Sequence, residues 1–414
     1  MSTGVTSRKM IKKAKPIEIV YEGKQSINTV LNSDFKTYNY SIPVNGGGYN
    51  YLYFDDNINV LRYLINNGYR NKIDLVYIDP PFATKSDFLN RNQEHAYSDS
   101  LSGAEYVEFL RERIILLYEL LSDRGSIYVH LDNNMAFTMK IIMDEIFGEK
   151  YCQAFITRKK CSTKNYTKNT YGNISDYILF YSKSDKYTWN RPYDPWSFDK
   201  MIEQYPCVDE SGNRYKKVPL HAPGIRNGET GKEWRGMLPP KGKHWQYTPE
   251  KLDELDALGE IYWSPTGNPR RKVYCDINKG IPIQDIWINY RDCINQAQKT
   301  TGYPTEKNID MLKMIVQASS NKGDLVLDCF AGSGTTLAAA FELDRKWIGV
   351  DSSRESMKAI LKRFTKGLDV YGDYVNTKES DNLLFDLYEK CPFNIIVSEE
   401  NQKSISFLEE IKGL

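Results

Sequence analysis

An α/β architecture built on a mostly parallel sheet is what this 414-residue sequence predicts. Two apolar runs predict it. Leu75-Val76-Tyr77-Ile78 and Leu325-Val326-Leu327 each read as a short strand buried on both faces, the kind that belongs to a parallel sheet. The third observation is the chain around them, where strands alternate with amphipathic helices in βαβ fashion.

In chain order, residues 1–16 predict a flexible basic arm, with Arg8, Lys9, Lys12, Lys13 and Lys15. No apolar h-region follows it, and no run approaches the roughly 20 residues that cross a bilayer. Tyr51–Phe54 is the next expected strand, ending in Asp55-Asp56-Asn57. Asn57 is expected to cap a helix carrying Ile58, Leu61, Leu64 and Ile65, which Gly68 stops. The strand ending at Ile78 completes a βαβ unit. A polar loop follows Phe82 as far as Asp99, placed to cover whatever binds at the strand end. Ser102 to Glu105 spells a capping box for a helix with Val107, Leu110, Ile114, Leu117 and Leu121 on one face. Strand 126–131, a helix from about 134 to 147 and strand 177–182 come next.

Between 157 and 300 the pattern changes. Basic residues are interleaved with aromatic and turn residues without helical period, as at Lys232-Glu233-Trp234-Arg235 and Lys243-His244-Trp245. Such mixtures suit phosphate contact combined with adaptable base contact. Arg158, Lys159, Lys160, Lys164, Arg226 and Arg235 are the DNA-contact candidates, with Lys85 from the loop after Phe82. The α/β pattern returns at 324–351, and residues after 370 read as irregular and acidic. The expected divisions are 1–16, 17–156, 157–300 (an insertion holding one or two core strands near 155–182), 301–369 and 370–414.

Composition excludes little else. Apolar residues at 41% and charged residues at 26% are ordinary for a soluble globular chain. Seven cysteines without CxxC pairs argue against a disulfide framework or a zinc site, so no metal is expected and a reducing cytoplasm is the expected compartment. A net charge of +1 leaves nucleic acid open, because clustering matters more than the total.

Two stretches carry chemistry. Asp79-Pro80-Pro81-Phe82 ends a strand with a carboxylate, a carbonyl held by proline geometry and an aromatic ring. Asp79 and the Pro80 carbonyl can each accept one hydrogen of an exocyclic NH2, while Phe82 stacks on its ring. The second stretch, Asp328-Cys329-Phe330-Ala331-Gly332-Ser333-Gly334-Thr335, lets backbone approach a ligand closely before a helix N-terminus. Asp351 at the next strand tip can accept ribose hydroxyls. The third glycine of a dinucleotide fingerprint and the Gly-Lys-Ser/Thr of a P-loop are both missing. A nucleoside without pyrophosphate fits, and S-adenosylmethionine has the required parts.

These two stretches resemble the catalytic and cofactor motifs of DNA amino-methyltransferases. Their order, with the catalytic motif first, is similar to the permuted β class. Tyr97-Ser98-Asp99, His130-Leu131-Asp132, Asp144 to Gly148, Thr301 to Thr305 and Trp347 to Asp351 resemble segments around that core, especially in type III modification subunits and their stand-alone relatives. The resemblance covers roughly 50–365. It implies a Rossmann-like S-adenosylmethionine-dependent fold with a mostly parallel seven-stranded sheet and an inserted DNA-recognition region. It also implies methyl transfer to the N6 of an adenine flipped from double-stranded DNA. Asp79, Pro80, Pro81 and Phe82 would form the catalytic turn. Asp56, Asn57, Asp79, Thr305, Lys307, Asp328, Phe330, Ala331, Gly332, Gly334, Thr335 and Asp351 would surround the cofactor. A homodimer and a restriction subunit are the partners it suggests, and no membrane. Glu306 and Asn308 depart from the Thr-Gln-Lys-Pro that the family often carries. Cytosine N4, RNA or a protein amide remain open as substrates, as does a DNA-binding subunit without catalysis.

Overall fold

Strands from both ends of the chain meet in one ten-stranded sheet. The structure is a computed structural model that describes residues 17–81, 87–89, 95–98, 103–162, 169–292, 299–301, 303, 306–367, 369–370, 391–398 and 406–408. Two compact units divide the chain: Met1–Pro192 with Gln284–Leu414, and Tyr193–Ile283.

In the larger unit the strands are β1 (Tyr40–Val44), β2 (Asn50–Phe54), β3 (Ile73–Ile78), β4 (Leu121–Leu131), β5 (Cys152–Lys159), β6 (Ser175–Ser182), β7 (Ile286–Trp287), β8 (Leu325–Asp328), β9 (Lys346–Asp351) and β10 (Phe393–Val397). They lie side by side as β1-β10-β2-β9-β8-β3-β4-β6-β5-β7. Only β1 and β6 run against the rest. The seven strands from β2 to β5 are the sheet anticipated, and β1, β10 and β7 widen it to ten. β10 corrects the reading of the tail as irregular. Phe393, Ile395 and Val397 are buried, a strand pattern hidden among acidic neighbours. β1 holds Pro43 at the sheet's rim, where a missing N–H is tolerated.

Helices α1 (Asn57–Leu64), α2 (Ala104–Leu120), α3 (Ala136–Phe147), α4 (Ile309–Ser319), α5 (Thr335–Glu342) and α6 (Arg354–Thr365) connect these strands. Asp56, not Asn57, caps α1: its carboxylate accepts the Ile58 N–H at 3.0 Å. Gly68 ends that segment with φ near +86°. Leu110, Ile114, Leu117 and Leu120 of α2 are fully buried in one core with Val76 and Ile78 of β3 and Ile127 and Val129 of β4. Ser102 of the expected capping box lies outside the described residues, and Gly103 precedes α2 with φ near +60°.

The insertion expected over 157–300 yields a compact unit only over Tyr193–Ile283, while β5, β6 and β7 belong with the main sheet. That smaller unit has a four-stranded antiparallel sheet and a separate core of Leu220, Trp234, Trp245, Leu252, Leu255 and Ile261. Trp234 and Trp245, read in sequence as part of a contact surface, are instead its interior.

Candidate active site

Four parallel neighbours, β2, β9, β8 and β3, end at the same edge of the sheet, and each tip carries an acid: Asp55-Asp56, Asp351, Asp328 and Asp79. Parallel sheets bind ligands at this carboxyl edge. A cavity of about 220 Å³ lies there, lined by Asp79, Pro80 and Pro81 from one motif and by Asp328 to Ser333 and Asp351 from the other. Two stretches some 250 residues apart in sequence therefore share one site.

Asp79 is held from one side. Its Oδ2 pairs with Lys307 Nζ at 2.8 Å, while its buried Oδ1 has no hydrogen-bond partner among the described residues. An unmet buried acceptor costs roughly 1–3 kcal/mol, and such costs concentrate where a ligand supplies the missing donor. Burial by itself would lower the Lys307 pKa, but Asp79, together with Asp292 and Asp176, more than offsets this and the ammonium is held above its ordinary value. Lys307, expected beside the cofactor, thus also orients the Asp79 carboxylate. Phe82, Thr305, Lys85 and Lys164 lie outside the described residues.

The glycine turn is shaped by its neighbours. Gly332 and Gly334 have φ near +50° and +73°, where L side chains are strained. A Cβ on Gly334 would meet Ile360 Cγ1 at 2.9 Å. Gly334→Ala is therefore expected to cost about 1–2 kcal/mol from backbone strain alone, read as a lower thermal midpoint, with weaker cofactor binding in a calorimetric titration. Unchanged melting and affinity would contradict this account of the turn. Asp351 fastens the turn to β9: its Oδ2 accepts the Gly332 N–H at 2.8 Å and its Oδ1 the Ser353 N–H at 2.9 Å. Ser352 and Ser356 also bond this carboxylate, whose burial still raises its pKa above the ordinary value.

Beside it, Asn57 Nδ2 donates to the Cys329 carbonyl at 2.7 Å. Arg113, which sequence reasoning missed, donates to Asn57 and Asp56 at 2.5 and 3.0 Å. Its guanidinium sits 3.6 Å from the Phe109 ring centroid, and Phe109 in turn packs 6.2 Å from Phe330. These form an aromatic wall suited to a flat purine.

The departures at Glu306 and Asn308 have structural reasons. Glu306 Oε1 accepts from the buried Arg363 at 2.5 Å, and its Oε2 accepts from Thr301 N and Oγ1. Arg363 also donates to Ser333 O and Thr335 Oγ1, so one guanidinium ties the Lys307 segment to the glycine turn. Asn308 caps α4, accepting the N–H groups of Asp310 and Met311.

Asp328 is buried, and that burial, opposed by bonds from Thr336 and Phe330, pushes its pKa up to about 7. A raised carboxyl pKa means the folded state prefers the neutral acid. Its contribution to stability is complete below the unfolded value near 4 and is lost as pH rises through about 7. Against Asp328→Asn, which cannot titrate, the wild-type thermal midpoint should fall progressively between about pH 4 and 7 and then level off. A constant difference across that window would contradict this.

Among the DNA-contact candidates, Arg158 needs correction. It is fully buried, bound to Asp176 at 2.9 Å, Asp292 at 2.5 Å and the Tyr290 carbonyl at 2.7 Å, so no guanidinium is presented to phosphate. Lys159 and Lys160 are half-buried and Arg226 is exposed. Arg235 is exposed but engaged by Asp253 and Asp256.

A strand-tip acid with a diproline turn, facing a glycine turn and a purine-sized aromatic wall, defines a methyltransferase of amino groups on bases. The chain belongs to the N6/N4 DNA methylase family, which matches residues 73–362. It is 51% identical over 359 residues to the type II methyltransferase M.EcaI of Enterobacter cloacae, covering 84% of this chain and 79% of that one. It is 28% identical to the StyLTI Mod subunit, a type III restriction-modification protein of Salmonella typhimurium, over 78% of this chain and 54% of the other. It thus spans about half that subunit's length. Among solved structures, M1.HpyAVI in complex with SAM matches 75% of this chain and 98% of its own at 14% identity and a TM-score of 0.39.

Proposed function

We propose that this DNA methyltransferase moves a methyl group from S-adenosylmethionine to the N6 of an adenine turned out of double-stranded DNA, as the marking half of a restriction-modification system. One observation carries the reading: Asp79, with one oxygen on Lys307 and the other unmet, shares a 220 Å³ cavity with the glycine turn.

The residues fit the donor. Asp79, Asp328 and Asp351 line the cavity with carboxyl groups that can accept hydrogen bonds from a nucleoside, and no phosphate-binding Gly-Lys-Ser/Thr is present. Asp351 would take the ribose, the Phe330–Phe109 wall the adenine, and the turn at Gly332–Thr335 the amino-acid end. When bound, this group supplies an activated methyl on sulfur.

The chain's own residues prepare the acceptor. An exocyclic amino nitrogen is a poor nucleophile because its lone pair spreads into the ring. Hydrogen bonds from its two N–H groups to Asp79 Oδ1 and the Pro80 carbonyl favour a pyramidal nitrogen whose lone pair faces the donor. Fixed acceptors in a dry pocket then supply positioning and electrostatic stabilisation. Turning the base out costs a few kcal/mol, offset by stacking on Phe82. Asp rather than Ser before the prolines favours adenine over cytosine. Lys159, Lys160 and Arg226 remain the phosphate-contact candidates, and a homodimer and a restriction subunit the candidate protein partners.

The test uses radiolabelled S-adenosylmethionine with double-stranded DNA, RNA and whole protein as acceptors, followed by nucleoside chromatography. Label in N6-methyladenine from DNA is expected. N4-methylcytosine would overturn the choice of base, and label confined to RNA or protein would overturn the proposal.

A further inference from the structure

The smaller unit, Tyr193–Ile283, is built on a sheet with two unlike faces. Its strands lie in the order Cys207–Val208, Arg214–Pro219, Pro269–Tyr274 and Ile261–Trp263, each antiparallel to the next. Residues directly opposite one another in such a pair share a face. Ile261 and Trp263 pack into the core with Trp234, and Arg271, opposite Ile261, meets Tyr247 and Glu260 on that side. The outer face therefore carries Tyr215, Lys217 and Pro219 from one strand, Arg270, Lys272 and Tyr274 from its neighbour, and Tyr262 from the next.

Lys217 stands directly opposite Lys272, and Arg270 follows two residues along the same strand, about 7 Å away. Like charges placed opposite one another destabilise a sheet. No acid relieves them: none of the three cations has an ion pair or a side-chain hydrogen bond among the described residues. Asp209, which reaches the Tyr274 hydroxyl at the rim, is itself engaged by the N–H groups of Ser211 and Asn213. Nor do the lysines turn away from each other. Lys217 Nζ lies 3.5 Å from the Tyr262 ring centroid and Lys272 Nζ 5.6 Å from that of Tyr215, so both ammoniums are held over the sheet. The positive field extends to the neighbouring hairpin, where burial, with Lys243 and Arg270, holds the His221 imidazole below its ordinary value.

We propose that this outer face grips the phosphate backbone of double-stranded DNA through Lys217, Arg270 and Lys272, supplying affinity without reading sequence. Phosphates bring the negative charge that three crowded, unpaired cations lack, and their arrival turns a standing repulsion into attraction. The tyrosines of the face are not stacking platforms for bases. Lys217 covers the Tyr262 ring, and Tyr215 is only 8% exposed. Their work is to carry the lysine stems and hold the ammoniums outward. Contacts of this kind set where and how tightly the duplex lies, while sequence is read by groups that reach base edges. The smaller unit's hold on DNA is thus separate from the choice of site. The inference rests on DNA as the substrate, and neither on the base that is modified nor on the role of Asp79.

The test is DNA binding by the full chain carrying Lys217→Gln, Arg270→Gln and Lys272→Gln together. Fluorescence anisotropy on a pool of short randomised duplexes, repeated across salt concentrations, gives the affinity, and sequencing of the bound duplexes gives the preference. Losing three phosphate contacts should weaken binding roughly a hundredfold near 0.1 M salt and lower the slope of log affinity against log salt by about 2–3. The variant should enrich the same sequences as wild type. In methylation assays its KM for DNA should rise, with the rate at saturating DNA within about twofold of wild type. Unchanged affinity and slope overturn the proposal, and so does a changed set of enriched sequences, which would make this face a reader of bases. A second measurement uses wild type alone. Mass spectrometry after lysine acetylation should find Lys217 and Lys272 shielded by DNA, and Lys251 unshielded, on the helix that sends Leu252 and Leu255 into the core. Lys217 and Lys272 left fully reactive would overturn the proposal whether or not the variant folds. Label found in N4-methylcytosine would change the modified base and leave this result standing.

Discussion

Asp79→Ala should abolish methyl transfer, a loss of roughly a thousandfold or more in single-turnover rate, while S-adenosylmethionine affinity changes by only a few fold. The reason is the division of labour between the two carboxylate oxygens: Lys307 occupies one, and the other, unmet, accepts the target amino group in the proposed geometry. The substitution has a second effect that must be separated from the first. It takes from the buried Lys307 ammonium the anion that acts on it most strongly, leaving Asp292 and Asp176, and removing one partner of a buried pair costs roughly 3–5 kcal/mol. Adding Lys307→Met should therefore recover most of the lost thermal stability and none of the activity. Radiometric transfer assays, thermal melts and cofactor titrations on the three proteins distinguish these effects. Wild-type turnover in the single variant would remove Asp79 from catalysis.

Arg363→Met should destabilise the protein by a comparable amount, roughly 3–5 kcal/mol, or about 3–7 °C in thermal midpoint for a chain of 414 residues. Arg363 is 1% exposed, and its loss strands the Glu306 carboxylate in the interior. It also removes the only guanidinium, among the described residues, that bonds both Ser333 and Glu306, so cofactor affinity should fall with stability. Glu306→Gln should be milder, roughly 1–3 kcal/mol. The amide oxygen can still meet Arg363, while the Thr301 N–H loses its acceptor and the Thr301 hydroxyl must turn to accept from the amide. Melting curves with and without S-adenosylmethionine read both effects. An Arg363→Met protein that melts and binds like wild type would show that the brace is dispensable.

Much of the site was legible because its signals are local. Asp79-Pro80-Pro81 and Gly332 to Thr335 each combine a strand end with a backbone requirement, and both requirements survive in the fold. What could not be read is pairing across long separations. Arg158 looks like a surface cation in a basic run, yet it is neutralised by Asp176 and Asp292, which nothing local connects to it. Lys307, Arg113 and Arg363 acquire their roles in the same way. His130 stood in the sequence only as part of strand 126–131 and of a segment resembling the family's, and its partners come from β3 and β6. Antiparallel β6 could not be oriented because a buried apolar run carries no direction. Asn57 and Asp56 differed by one position, the usual margin at a helix start.

β10 lies between β1 and β2, although those two strands are neighbours in sequence and β10 comes more than 300 residues later. On the ribosome, therefore, β1 emerges before β10 and waits, without its hydrogen-bonding partner, while more than 300 further residues are synthesised. A product that stops before β10 therefore keeps an open, pairing-competent rim that invites aggregation.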